Sequence, residues 1–121
     1  MSIFGDDYET PDGTCIRDYI HVSGIVSAHI CTLEHMFRKS GKLTLNCGYG
    51  RGSSVRQVID KVSELAGHEI SVSIDARRPG DQAELIAGGE RSKEILGWIP
   101  RYDDLDQIIG SALAWERRGV S

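Results

Sequence analysis

The sequence has no long apolar segment and no excess of basic side chains. None of its hydrophobic runs approaches the roughly 20 residues that cross a bilayer, so we expect no membrane partner. The 14 basic and 18 acidic residues give a net charge of -4. A mildly acidic chain has no general attraction to nucleic acid, and we expect no such partner.

Cysteine is also scarce. Cys15, Cys31 and Cys47 are odd in number and lie in apolar contexts, which favours reduced, buried thiols in a cytoplasmic protein. No cysteines or histidines are paired at the spacing of a zinc site, so no metal site is predicted. Residues 1–7 are acidic with few apolar side chains, which is not typical of a signal peptide.

What the sequence does contain is an ordinary globular composition. Hydrophobic residues make up 40% and charged residues 26% of the 121 positions, enough for the core of one domain spanning residues 1–121. Strand-like and helix-like segments alternate along the chain. This alternation predicts an α/β fold. We expect a small mixed sheet with packed helices.

The first predicted helix follows an extended segment. Ser23 is expected to cap it, and Ser40-Gly41 to end it. Side chains at helical spacing form one apolar stripe on this helix: Val26, Ile30, Leu33 and Phe37. Such a stripe predicts a face that packs against another element.

Two further helices are predicted from capping boxes, in which the cap and the residue three positions later bond reciprocally. Ser54 with Gln57 opens one that ends at Gly67, and Asp104 with Gln107 opens the last helix. That last helix carries one apolar side made of Leu105, Ile108, Ile109, Ala112 and Trp115.

Short strands and one short helix complete the prediction. Residues 43–47 are expected to form a strand, and the alternation of Ile70, Val72 and Ile74 predicts a half-buried strand. Residues 84–87 are a further strand candidate. Residues 90–96 are predicted to be a helix that stops at Gly97.

The glycines at 48, 50 and 52 stand between a predicted strand and a helix, with Asp75 after the next strand. This order resembles a dinucleotide-binding unit, in which glycines let backbone amides reach a pyrophosphate. The spacing does not fit, because Ser53 stands at the third glycine and Asp75 falls a few residues late. An ordinary strand-to-helix turn explains the glycines more simply.

Residues 77–81, Arg-Arg-Pro-Gly-Asp, place two guanidinium groups and a carboxylate on one tight turn. Arginine binds phosphate bidentately, and a carboxylate accepts hydrogen bonds from sugar hydroxyls. The residues alone leave two possibilities equally open, a phosphate-sugar site and a solvated turn with a local ion pair.

The stretch from Arg17 to His21 is a second polar cluster. In an extended segment Arg17 and Tyr19 share one side, because side chains alternate. Asp18 and His21 have the chemistry of acid-base groups. A cap for the following helix is the favoured interpretation of Asp18, and a partly buried structural histidine that of His21.

Several stretches taken together resemble the C-terminal third of UDP-glucose 4-epimerases, which belong to the extended short-chain dehydrogenase/reductases. The resemblance covers the chain from Ile3 to the last helix. It is most specific in residues 12–22, Asp-Gly-Thr-Cys-Ile-Arg-Asp-Tyr-Ile-His-Val, and continues through residues 45–50, 77–81 and 96–98. It implies the substrate domain of such an enzyme without the N-terminal Rossmann domain.

The resemblance also implies roles for four residues. Arg17 matches an arginine that contacts the UDP diphosphate, and Tyr19 matches a neighbouring substrate-site tyrosine. Arg78 and Asp81 match the arginine and aspartate of the second UDP-binding loop. The full-length family uses NAD, but its NAD fingerprint lies near the N-terminus, so no cofactor is expected to bind this chain alone.

The family's catalytic pair, Tyr-x-x-x-Lys, is missing, since none of the four tyrosines is followed by lysine four positions on. We therefore expect no catalytic residue in this chain and no epimerisation by it alone. Two alternatives are a stand-alone UDP-sugar-binding or assembly module that pairs with another chain, and an inert truncated product. We expect a homodimer or larger homo-oligomer formed through the face that a missing domain leaves bare.

Two departures from the family pattern concern helix starts. Gly24 stands where the family commonly has Asp, and Gly88-Gly89 stand where an Ala-Asp pair usually precedes the next helix. Each departure is expected to lose a helix cap, at a cost of about 1 kcal/mol.

Overall fold

A computed structural model describes residues 1–119 and shows four helices with five short strands, which confirms the predicted mixed α/β class. The elements are β1 (Ser2–Phe4), β2 (Ile16–Arg17), α1 (Val22–Arg38), β3 (Ser53–Ser54), α2 (Val55–Ala66), β4 (Ser73–Asp75), β5 (Glu84–Leu85), α3 (Glu90–Leu96) and α4 (Leu105–Glu116). None of these helices is long and apolar enough to cross a bilayer.

The strands form two small sheets. In one, β1 pairs in parallel with β4, so that Ile3 lies opposite Ile74. In the other, β2 lies between β3, to which it is antiparallel, and β5, to which it is parallel. β2 is therefore the central strand of this sheet, and Arg17 at its end lies between β3 and β5.

The predicted start and end of α2 are confirmed. The Ser54 hydroxyl accepts a hydrogen bond from the Gln57 amide at 3.0 Å, and the Gln57 side chain accepts one from the Ser54 amide at 2.8 Å. Gly67 ends the helix in the left-handed conformation. Such a capping box satisfies amides that a helix leaves without intrahelical partners.

Two helix pairs contribute to the core. α2 packs on α4, where Ile59 and Ile109 are buried, and α1 packs on α3. Trp98, just after α3, is 2% exposed, and its indole Nε1 donates to the Ser27 hydroxyl of α1 at 2.9 Å. A buried indole N–H needs such a partner, so this bond fixes α1 against the segment after α3.

The start of α1 differs from the prediction. Its N-cap is His21, whose Nδ1 accepts a hydrogen bond from the Ser23 amide at 3.0 Å, and the helix ends at Arg38. The predicted apolar stripe is present but exposed: Val26, Ile30, Leu33 and Phe37 are each more than half exposed, Phe37 at 83%. Within residues 1–119 this face of α1 has no packing partner.

The strand predictions were partly wrong. Residues 43–47 have no strand conformation, because no other strand of the described chain supplies the ladder of hydrogen bonds that defines one. The strand predicted around Ile70, Val72 and Ile74 is reduced to β4, and Ile74 is 54% exposed. The strand at 84–87 is reduced to β5.

The last helix forms without its predicted capping box. The Asp104 carboxylate accepts from the Asp106 amide at 3.3 Å instead of pairing with Gln107. Its apolar side is only partly buried, since Ile109 is buried while Trp115 is 57% exposed. More than half of the Trp115 surface is thus left uncovered by the described chain.

Candidate functional site

The turn between β4 and β5 brings Arg78 and Asp81 together. The Asp81 amide donates to the Arg78 carbonyl at 3.2 Å, and Gly80 takes a φ of 87°. Pro79 and a positive-φ glycine in these places are typical of a type II turn. Arg78 Nε then lies 3.0 Å from Asp81 Oδ2, so the turn itself sets the pair.

Arg17 reaches the same carboxylate from β2. Its Nη2 lies 3.7 Å from Asp81 Oδ1, and its Nη1 donates to the Ile16 carbonyl at 2.8 Å. The parallel pairing of β2 with β5, whose strand begins three residues after Asp81, explains the approach. Three of the four predicted site residues thus form one cluster, in which Arg17 and Asp81 are about three-quarters sheltered from solvent.

The two neighbouring arginines of the turn have different surroundings. Arg77 lies over the Tyr8 ring at 4.1 Å and donates from Nε to Asp7 at 2.6 Å, and this hydrogen bond holds the pKa of the Asp7 carboxyl below its usual value. Arg78 lies over the Phe4 ring at 4.7 Å. Both arginines therefore contact the N-terminal segment, and Arg78 also pairs with Asp81 in the cluster.

Tyr19, the fourth predicted residue, lies beside the cluster. Burial raises the pKa of its phenol, and the nearby positive charge of Arg17 opposes that shift. Tyr19 lines a cavity of about 250 Å³ together with Tyr49, Arg51 and Asp103, among others. Arg51 and Asp103 form an ion pair of 3.3 Å, so this cavity has one charged edge.

The segment that leads into β2 is fixed by Asp12. Its Oδ1 accepts from the amide and the hydroxyl of Thr14 at 2.9 and 2.7 Å, and its Oδ2 accepts from the hydroxyl of Ser54. Partial burial alone raises the pKa of Asp12, but the bonds from Ser54 and Thr14 outweigh it and the net pKa is lowered. The turn before Arg17 is thereby joined to the cap of α2.

The two acid-base candidates have structural surroundings. His21 is buried, with Nδ1 capping α1, Nε2 2.9 Å from the Ser111 hydroxyl and its ring stacked on Tyr102. This agrees with a structural histidine. The interpretation of Asp18 as the helix cap was wrong, because its carboxylate is buried against the loop at 48–49, where burial raises its pKa.

The glycine loop at 48–52 does not fit a dinucleotide. A Cβ on Gly48 would collide with the Ala87 carbonyl and lie 2.5 Å from Asp18 Oδ2, so the missing side chain serves internal packing. The amides at the start of α2 already bond the Cys15 carbonyl, the Thr14 hydroxyl and the Ser54 hydroxyl. None of these three amides is therefore free to bind a pyrophosphate.

Gly24 and Gly89 also have packing reasons that sequence reasoning missed. A Cβ on Gly24 would lie 2.5 Å from the Tyr49 hydroxyl, and one on Gly89 would collide with the Gly48 carbonyl. Gly24 is therefore not a lost cap, since His21 caps α1. Gly89 does leave α3 without a side-chain cap, as expected. These contacts join residues that are far apart in sequence, so no local sequence pattern predicts them.

Comparison with known proteins gives one consistent result. No protein-family model matches the sequence. A UDP-glucose 4-epimerase of Azospirillum brasilense is 54% identical over 117 residues, which is 97% of this chain and 34% of that enzyme. Solved UDP-glucose 4-epimerases from Stenotrophomonas maltophila and Bifidobacterium longum superpose with TM-scores of 0.92 and 0.89 at 37% and 39% identity, covering 98% and 97% of this chain.

The chain is homologous to the C-terminal third of UDP-glucose 4-epimerases. It spans about a third of the length of the epimerases it matches: 34% of the Azospirillum enzyme, and 35% and 34% of the two solved chains. The Bifidobacterium structure contains NAD+ and UDP, and the Stenotrophomonas structure contains NAD and formylated UDP-arabinopyranose. Residues 1–119 of the chain contain no group of three or more histidine, cysteine or acidic side chains placed to hold a metal ion.

Proposed function

We propose that this chain is the UDP-sugar-binding part of an NAD-dependent UDP-glucose 4-epimerase, to which it contributes Arg17, Tyr19, Arg78 and Asp81. The observation that carries the proposal is the meeting of Arg17 and Arg78 on the single carboxylate of Asp81, at 3.7 and 3.0 Å. Two guanidinium groups held this close match the charge of a diphosphate.

Asp81 has two tasks in this proposal. Without ligand it holds the two arginines in place by charge, which lowers the ordering cost when a diphosphate binds. Its remaining lone pairs accept hydrogen bonds from sugar hydroxyls. UDP and UDP-sugars carry both groups, and relatives crystallised with UDP and with a UDP-sugar support the assignment.

We propose further that the 121 residues alone bind UDP weakly and do not epimerise it. Two or three charge-assisted bonds, at about 1.5–3 kcal/mol each, must offset the cost of association, so we expect millimolar affinity at best, about -4 kcal/mol. No tyrosine is followed by lysine four positions on. An assay with UDP-galactose and added NAD should show no turnover, and turnover above background would contradict this part.

The exposed face of α1 supports a proposal about assembly. Val26, Ile30, Leu33 and Phe37 form an apolar surface without a partner in residues 1–119, and such a surface favours association. We propose that this face mediates pairing, in a homo-oligomer or with another chain, as in the alternative of a binding or assembly module. A cytoplasmic location is proposed from the three free cysteines.

Charge-matched variants test the binding proposal. Arg17→Gln and Arg78→Gln should each weaken UDP binding roughly tenfold, because each removes one charge-assisted contact. Arg91→Gln changes the net charge equally on the exposed surface of α3 and should leave affinity unchanged. Affinities are measured from phosphorus NMR shifts of UDP. Equal weakening by all three variants would show a general charge effect and refute the proposed site.

A further inference from the structure

The start of α1 is held by a hydroxyl from a distant loop. The backbone amide of the N-cap, His21, donates to the hydroxyl of Tyr49 at 3.2 Å. In a capping box the side chain three residues after the cap accepts this bond, but that position is Gly24, which has no side chain. Tyr49 thus supplies from the loop the acceptor that α1 lacks in its own first turn.

Gly24 and Tyr49 fit each other closely. A Cβ on Gly24 would lie 2.5 Å from the Tyr49 hydroxyl oxygen but 3.6 Å from the ring carbon Cζ that carries it, so only the hydroxyl excludes a side chain. The Tyr49 ring is stacked on the buried Trp98, with centroids 6.3 Å apart. A larger residue at position 24 would therefore have to displace the Tyr49 hydroxyl.

The loop that contains Tyr49 also contacts the chain before His21, at Asp18. Both Asp18 carboxylate oxygens are buried without a hydrogen-bond partner, and Oδ2 lies against Gly48, where an added Cβ would be only 2.5 Å from it. Arg17, by contrast, reaches Asp81, and Tyr19 lines the cavity that Tyr49 also lines. The loop at 48–49 therefore contacts the segment on both sides of Tyr19, through Gly48 at Asp18 and through the Tyr49 hydroxyl at His21.

We propose that Tyr49 is a positioning residue for the nucleotide site. Its hydroxyl, in the space that Gly24 leaves, fixes the segment from Arg17 to His21 and so the directions of the Arg17 and Tyr19 side chains. Tyr49 also lines the cavity that Tyr19 lines. The inference rests on the proposed function in one respect, that Arg17 and Tyr19 bind UDP.

A double-mutant cycle tests the contact between Gly24 and Tyr49. Gly24→Ala should lower the unfolding temperature of the wild type, because the new methyl group displaces the Tyr49 hydroxyl. In Tyr49→Phe the same change should raise it, because the space is free and alanine favours helix over glycine. Gly110→Ala in α4, whose nearest atom lies 4.0 Å away, should raise it in both backgrounds. An increase by Gly24→Ala in both backgrounds would overturn the contact.

Ligand binding tests the positioning role. Tyr49→Phe and Gly24→Ala should each weaken UDP binding several-fold, and the double variant should be no weaker than either, since both lose one hydrogen bond. Ile109→Val, which loosens the buried core at α4, should lower stability without changing affinity. Unchanged affinity in Tyr49→Phe would refute the positioning role.

The proposed function can fail separately. If the wild type binds no UDP, that proposal is refuted, and the positioning role is then judged from ligand-free NMR spectra. Tyr49→Phe should shift the amide signals of Arg17 and Tyr19 more than those of α4. Signals of Arg17 and Tyr19 that stay in place would overturn the inference.

Discussion

Two surfaces of the molecule differ in how completely their groups are partnered. Around β2, the side chains of Asp12, Arg17, Arg78 and Asp81 all have hydrogen-bond or ion-pair partners. On the outer face of α1, the apolar side chains have none among residues 1–119, and Phe37 is 83% exposed. The first surface is built by contacts within the chain. The second is an exposed apolar face without a packing partner among the described residues, and we propose it as an interface.

The largest expected loss of stability comes from removing the Asp12 carboxylate, which belongs to the first surface. Its carboxylate accepts from Thr14 and Ser54, which are 0% and 4% exposed. Asp12→Ala leaves these buried donors without a partner and should lower the free energy of unfolding by about 3 kcal/mol. Urea unfolding measures the change.

Asp60→Ala is the matched control. Asp60 is exposed on α2, and its loss should change the free energy of unfolding by less than about 0.5 kcal/mol. Similar losses in the two variants would show that the Asp12 network contributes nothing beyond an ordinary surface carboxylate.

A smaller expected effect is the pH dependence of the stability that Asp12 contributes. Because the pKa of Asp12 is lowered in the folded protein, its contribution is fully present above the unfolded pKa of about 3.9. That contribution is lost as the pH falls through the lower folded pKa. The difference in stability between wild type and Asp12→Asn should therefore shrink on acidification, as followed by urea unfolding at several pH values. A difference that grew in acid would contradict the assigned direction.

The smallest expected effect on stability lies on the second surface. Phe37 is 83% exposed within residues 1–119, so Phe37→Glu should change the free energy of unfolding by less than about 0.5 kcal/mol. It should nevertheless reduce self-association, measured by light scattering over a concentration series, while Phe37→Leu should retain it. A wild type that is monomeric at high concentration would contradict the proposed homo-oligomer.

Local signals predicted the parts of the fold that depend on local bonds. The Ser54–Gln57 box and the helix stop at Gly67 were confirmed because both are set within a few residues. The strand at 43–47 was wrong because a strand needs a partner, and composition alone does not say whether one is present. The exposure of Trp115 could not be read from helical spacing for the same reason.

The candidate site also combines features set by neighbouring residues with features that depend on distant ones. The turn that joins Arg78 and Asp81 follows from Pro79 and Gly80, and was predictable. The approach of Arg17 to Asp81 depends on the pairing of β2 with β5, which no short motif encodes. The Gly24–Tyr49 contact spans 25 positions, so Gly24 looked like a lost cap until the fold brought Tyr49 to it.

Amide NMR spectra recorded while UDP is added to the 121-residue chain test the central claim most directly. The account predicts shifts at Arg17, Tyr19, Arg78 and Asp81, which saturate in the millimolar range, and no shifts on the outer face of α1. Uridine, which lacks the phosphates, should produce weaker shifts at the two arginines. Silence at these four residues at millimolar UDP, or shifts centred elsewhere, would contradict the claim that this chain carries a nucleotide-sugar site.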